Sequence, residues 1–187
     1  MRTPVLYTAY VALSMLLLPF VARSAIKKLR AADVPVLHTH ERLGTASEDR
    51  PNGTLIWLHT ASANESLSVL ALITRMGVML PDAHFLITSS CATSATRIAQ
   101  RMPPRTVHQF APLDAAGPLK RFLKHWRPKA AIFVAYDLWP QMLCRTRATG
   151  TTMALVNPQM SAQSQTFFAK VPKLAAYILA TFDLILA

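Results

Sequence analysis

A chain of 187 residues is long enough to bury a sizeable core within one domain of ordinary size. Its formal charge of +11 sits on a composition that is 52% hydrophobic. Basic and greasy together, it favours an anionic membrane surface over nucleic acid as partner.

The first informative segment is Pro4–Ala22, "PVLYTAYVALSMLLLPFVA", which carries no charge. At about 1.5 Å per helical residue its length approaches the hydrocarbon thickness of a bilayer. Tyr7 and Tyr10 suit an interfacial belt, and Arg23, Lys27, Lys28 and Arg30 crowd the far end. This asymmetry predicts that the following residues are cytoplasmic. In a cleaved signal peptide the heavier charge precedes the apolar stretch, so an uncleaved anchor is the preferred reading. Pro19 leaves open both a straight span and a kinked helix lying partly in the interface.

Asp33 to Gly53 is polar, contains Pro35, Pro51 and Gly53, and reads as a connector. From there short β-rich runs alternate with helical ones. Strands are predicted at Thr54–His59, His84–Ser89, Val107–Phe110, Ala130–Ala135, Thr152–Val156 and Leu184–Ala187. The helices between them are predicted at Glu65–Met79, Ser94–Arg101, Ala115–Trp126, Trp139–Thr149 and Lys173–Thr181. Strands such as "AAIFVA" are apolar throughout, as required when helices cover both faces of a parallel sheet. The alternation predicts right-handed βαβ units and a doubly wound, mostly parallel, Rossmann-like α/β domain.

In such a sheet the functional loops follow the carboxyl ends of the strands. Here they read "TASANE", "SSCATSA", "APLDAAG", "YDLWPQ" and "NPQMSAQS". With 5 glycines, no GxGxxG and no GxxxxGK[ST], the chain lacks the usual dinucleotide and P-loop signatures. The absence of a GxSxG elbow weakens a hydrolase reading.

Ser62 to Glu65 has the spacing of a capping box, in which serine and glutamate each satisfy the other's backbone amide. The same first-turn carboxylate is held ionised by the helix dipole and is available as a base. Spacing alone leaves both roles open. Asp137 has the position of an N-cap for a helix with Pro140 in its first turn. Trp139 reads as a buried anchor, and Asn157 either binds substrate or fixes a turn. The methionines read as core, and Lys120, Arg121 and Lys124 as a solvated helix face. Cys91 and Cys144 lie far apart without metal-ligand spacing and read as reduced thiols of a cytosol-facing protein. His38 and His40 lack the partners a metal site needs, so no metal and no cofactor are expected.

These loops in this order resemble the amino-terminal half of the bacterial 3-deoxy-D-manno-octulosonic acid (Kdo) transferases of lipopolysaccharide biosynthesis. The likeness runs from "LYTAYVALSMLLLP" through "ERLG", "LIWLHTASANES", "FLITSSCATSATRIA" and "FAPLDAAGPLKRFLKHWRPKAAIFVAYDLWPQ" to "ALVNPQMSAQS" and "FDLILA". It implies the first of two Rossmann-like domains in a GT-B glycosyltransferase, anchored at the cytoplasmic face of the inner membrane. By the same resemblance this half binds the lipid A precursor, and a second domain binds the donor CMP-Kdo.

Glu65 falls on the family's Ser-Val-Gly-Glu carboxylate, its proposed general base. Ser62, Asn64, Ser89, Ser90, Asp137, Asn157 and Ser161 are the candidates for acceptor binding. The chain departs from the family pattern at Asn64, where the glycine stood. Ala135 and Asp137 replace the two acids of Glu-x-Glu-Leu-Trp-Pro-Asn, and Gln159 and Gln163 replace both arginines of the Asn-Ala-Arg loop.

The expected organisation is an anchor helix with its basic flank over 1–31, a connector over 32–53 and an acceptor-binding domain over 54–187. Because the likeness covers only a first domain, this chain alone is expected to be inactive. The alternative is a degenerate or non-catalytic membrane-associated module that binds anionic lipid or a partner subunit. No nucleic-acid partner is expected.

Overall fold

The structure is a computed structural model that describes residues 3–60, 63–134, 139–157 and 162–186, excluding the side chains of 63–67, 162–164 and 167. Six strands form one all-parallel sheet: β1 (Leu55–Thr60), β2 (His84–Ser89), β3 (Thr106–Phe110), β4 (Ala130–Val134), β5 (Thr152–Val156) and β6 (Leu184–Leu186). Their spatial order is β3-β2-β1-β4-β5-β6. This is the doubly wound arrangement, whose strand order reverses between β1 and β4.

The alternation of side chains along each strand divides the core between the two faces. On one face Leu55, Trp57, Leu86, Phe133 and Leu155 pack with α5 (Ala116–Trp126), α6 (Pro140–Ala148) and α8 (Pro172–Leu179). On the other, Ile56, Leu58, Phe85 and Ile87 pack with α3 (Ala63–Met79) and α4 (Ala92–Ala99). Trp57 is the centre of the first cluster. Its ring lies 4.8 Å from Phe122 and 5.2 Å from Phe133, and its indole N–H donates to Thr88 Oγ1 at 2.8 Å. A tryptophan can be buried this deeply because its one donor has a partner.

The amino-terminal helix α1 (Val5–Arg30) takes in both the uncharged stretch and its basic flank. It runs through Pro19 and continues over Ser24–Arg30, a stretch of good helix formers. Two features differ from the sequence-based expectations. The polar connector is partly helical, with α2 (Val36–Thr39) followed by a 3₁₀ turn, His40–Leu43. Finally, "AQSQTFFAK" forms α7 (Ala162–Lys170), a helix too polar to announce itself by an apolar stripe.

The connector is locked by Glu41, whose side chain is fully buried. It accepts hydrogen bonds from the Phe110 amide at 2.6 Å and from the Ser47 hydroxyl, and it pairs with His38 Nδ1 at 2.6 Å. Gly44 ends the turn with φ +82°, and a Cβ there would collide with the carbonyl of Pro118. Only glycine satisfies both conditions. The "ERLG" stretch is therefore a clamp between the connector, the end of β3 and α5.

Candidate functional site

Parallel strands deliver their loops to one edge, and the crevice forms where the order reverses. Here Thr60 of β1 and Val134 of β4 are register partners, so the chain leaves the sheet side by side toward 61–62 and 135–138. Helix α3 begins at Ala63, which places Asn64 and Glu65 in its first turn. The positive end of the helix dipole is thus at the reversal point, where an anionic group is favoured. The side chains of Asn64 and Glu65, and Ser62, Asp137 and Ser161 altogether, lie outside the described residues. So do the departures at Ala135 and Gln159, and the side chain of Gln163.

The remaining candidates are described. Ser89 ends β2, is fully buried and shares a 2.8 Å hydrogen bond with His108 Nε2. Ser90 follows it, half-buried, on the wall of a cavity. Asn157 ends β5 with φ +50°, a left-handed conformation that asparagine tolerates, and its amide donates to the Leu186 carbonyl at 2.8 Å. That geometry accounts for Asn157 as a turn former. His38 is occupied by Glu41, and among the described residues no three His, Cys, Asp or Glu side chains come together as metal ligands.

Four polar residues at this edge, His59, His108, Arg42 and Asp114, went unrecognised in the sequence. His59 is fully buried near the end of β1, with Nδ1 2.9 Å from Thr88 Oγ1 and no described partner for Nε2. A buried unsatisfied group costs about 1–3 kcal/mol, so each of the three among the described residues, His59 Nε2, His84 Nδ1 and Gln109 Nε2, calls for a partner. Burial, reinforced by the Arg42 cation, holds this imidazole down to about 4, so it is neutral near pH 7. Burial, followed by His38, holds His108 down to about 4 as well. Arg42 donates to the Ala111 carbonyl, and burial lowers its guanidinium to about 10 without neutralising it at physiological pH.

The fourth is Asp114. Its Oδ1 accepts from the Met142 amide at 2.6 Å and its Oδ2 from the Gln141 amide at 3.1 Å, so it caps the start of α6 from a loop 27 residues upstream. The side chain of Trp139, at the N-cap position itself, makes no capping bond. Asp114 Oδ2 also accepts from the Tyr10 hydroxyl of α1 at 2.7 Å. Burial raises its carboxyl, and the bonds from Tyr10 and the two amides oppose that rise.

Beside Asp114 opens a cavity of about 870 Å³, within the ~300–1,000 Å³ range of ligand pockets. One wall is α1, and the other is made by Ser90–Thr93 after β2 and Ala111–Ala115 after β3. Trp139 lines it and is 39% exposed, so it is not the buried anchor that its sequence context implied.

A doubly wound sheet with a carboxylate-bearing helix start at its reversal point, next to an apolar helix and an amphiphilic cavity, defines a Rossmann-like domain of the kind that binds ligands beyond its strand ends. The family model described as "3-Deoxy-D-manno-octulosonic-acid transferase (kdotransferase)" matches residues 37–187. The chain belongs to that family. It is 34% identical over 124 residues to a probable mitochondrial 3-deoxy-D-manno-octulosonic acid transferase of Arabidopsis thaliana, covering 66% of this chain and 28% of that protein. To the 3-deoxy-D-manno-octulosonic acid transferase of Rickettsia bellii it is 32% identical over 155 residues, covering 83% and 37%. To that of Rickettsia felis the identity is 35% over 133 residues, covering 71% and 28%. The chain thus spans about a third of the length of the curated relatives it matches.

Proposed function

We propose that this chain is the acceptor-binding half of a glycosyltransferase that moves Kdo from CMP-Kdo to the lipid A precursor in lipopolysaccharide biosynthesis. Family membership supports the reaction class. The observation that carries the site is the start of α3 at the reversal point, with Glu65 in its first turn. Glu65 takes the proton from the acceptor hydroxyl while that oxygen attacks the anomeric carbon and CMP departs with the bonding pair. Ser62, Asn64, Ser90, Asp137 and Ser161 are the polar groups of the flanking loops that orient the acceptor. The donor is held by the second domain of a GT-B pair.

The organisation follows the same reading: an anchor over 1–31, a connector over 32–53 and the acceptor domain over 54–187. Helix α1 is long and apolar enough to cross a membrane, with a mean hydropathy of 2.0 in its most apolar 18-residue window. With Arg23, Lys27, Lys28 and Arg30 at its carboxyl end, it holds the domain at the cytoplasmic face of the inner membrane.

The test supplies the purified chain with lipid A precursor and CMP-Kdo, with and without the donor-binding domain of a family member. Transfer is expected only with that domain, because aligning the two substrates contributes roughly 7–11 kcal/mol to lowering the barrier. In the active mixture Glu65→Gln should lower turnover by about 10²–10⁴-fold while the chain stays folded. Normal turnover in a folded Glu65→Gln variant would confine that residue to helix capping. No transfer in either mixture would favour the non-catalytic, lipid-binding module, toward which Ala135, Gln159 and Gln163 lean.

A further inference from the structure

Helix α1 does not project from the domain but lies along it. Near its start Tyr7 packs on Tyr177 of α8 with ring centroids 5.4 Å apart. A turn later Tyr10 binds Asp114, and Ser14 Oγ accepts from Gln141 Nε2 at 2.6 Å. Further on, Ala22 and Leu29 are buried. Tyr7 to Leu29 spans roughly 33 Å at ~1.5 Å per residue, so the helix is held to the protein over a length comparable to a bilayer core. A helix crossing the bilayer along that length would carry Asp114 and Gln141 into hydrocarbon, at a prohibitive polar cost.

Its outer face is nevertheless apolar. Leu6, Leu13, Leu16, Leu17, Phe20 and Val21 are all exposed, as are Val36 and Leu37 of α2. Four of these, Leu13, Leu17, Phe20 and Val21, also line the cavity between α1 and the loops after β2 and β3. The cavity wall and the outer apolar face are therefore one continuous surface. Inside, Leu113 and Met142 supply an apolar floor, while Lys28 and Arg42 add positive charge. The one carboxylate on the wall, Asp114, is already bound by Tyr10 and the α6 amides.

We infer that this cavity is a slot for one long acyl chain of an anionic membrane lipid, entered sideways from a bilayer on which α1 lies flat. The inference rests on the membrane-associated reading of α1 given above and not on the transfer chemistry. The chain fits because Leu13, Leu17, Phe20 and Val21 on the α1 wall and Leu113 and Met142 on the domain side form an apolar strip within the otherwise mixed lining, continuous with the membrane-facing patch. An anionic head fits because Lys28 and Arg42 line the slot and the protein carries a net charge of +11.

The experiment mixes the full chain with vesicles of phosphatidylglycerol and phosphatidylethanolamine containing a phospholipid whose acyl chain bears a mid-chain diazirine. After irradiation the adducts are mapped by peptide mass spectrometry. Adducts are expected on Pro112, Leu113 or Met142 as well as on outer α1 residues such as Leu6 and Leu16. Ala25→Phe and Thr93→Phe fill the slot from opposite walls, and either folded variant should cut the domain-side adducts about tenfold while adducts on Leu6 and Leu16 persist. Adducts confined to the outer face of α1, domain-side labelling unchanged in both variants, or failure to sediment with the vesicles would each overturn the inference. Domain-side labelling in a preparation that transfers no Kdo even with the donor-binding domain of a family member added would support the slot and remove only the transferase reading.

Discussion

Two carboxylates, one buried and one half-buried, hold the amino-terminal third of the chain to the sheet, and they do so differently. Glu41 is sealed, and every partner it has lies within the domain: the Phe110 amide, Ser47 and His38. Asp114 joins two bodies of different character, the start of α6 on one side and Tyr10 of α1 on the other. Removing Glu41 leaves the buried Phe110 amide and the part-buried Ser47 hydroxyl without an acceptor. Removing the Tyr10 bond leaves Asp114 still served by two backbone amides. The connector is therefore part of the fold, whereas α1 is docked onto it, and docking of that kind can loosen without unfolding the sheet.

The sharpest test is Glu41→Ala. It strands the Phe110 amide in the interior and takes the acceptor from the part-buried Ser47 hydroxyl, and should lower the unfolding free energy by about 3–5 kcal/mol in urea titration. Glu41→Gln keeps an acceptor for Phe110 and should recover part of that loss. A loss below about 1 kcal/mol for Glu41→Ala would place the residue with ordinary surface acids and erase the contrast with Asp114.

Acid should separate the two regions next. His59 and His108 both titrate near 4 in the folded chain, below the ordinary histidine range near 6.5. Above that range both states are neutral and pH has no effect through them. As pH falls from about 6.5 toward 4, the unfolded chain takes up protons that the folded chain refuses. Stability should then drop by up to about 1.4 kcal/mol per pH unit for each imidazole. Both histidines lie on the Arg42–Glu41 side, and α1 contains none. Asp114 works in the opposite sense, since burial raises its carboxyl and protonation costs the folded state less. Thermal melts at stepped pH should show the decline, and replacing His59 with Gln should flatten part of it. A stability independent of pH over that window would mean that the imidazoles are not buried as neutral groups.

What could be read from the sequence follows from the range over which the forces act. Apolar β-rich runs such as "HFLITS" and "TMALV" appear at their observed bounds because burial on both sheet faces demands a local composition. The first-turn position of Glu65 was legible for the same reason, since capping spacing is local. Glu41 was not, because a lone acid in a polar stretch looks solvated until Phe110, 69 residues away, supplies its amide. The cap of α6 was sought at Asp137, next to the helix, while the carboxylate found serving those amides comes from Asp114. Helix α7 escaped notice because "AQSQTFFAK" offers almost no apolar period. His59 was read as part of a strand, and only its unpartnered Nε2 marks it as more.

The smallest predicted effect tests the docked end of the comparison most directly. Tyr10→Phe keeps the ring that packs beside Asp114 and deletes only the hydroxyl that donates to Oδ2. A hydrogen bond to a charged acceptor contributes about 1.5–3 kcal/mol when buried, and this one is part-buried, so about 1 kcal/mol is expected. Because α1 is docked, the loss should appear as faster amide exchange in α1, with exchange in β1 and β4 unchanged. Combining Tyr10→Phe with Asp114→Asn should give less than the sum of the single effects, since both remove the same bond. Additive losses, or exchange accelerating equally in α1 and the central strands, would show that α1 unfolds with the sheet. In that case Asp114 would belong with Glu41 as a fastener of one cooperative unit, and the flat-lying helix would be as integral to the fold as the connector that follows it.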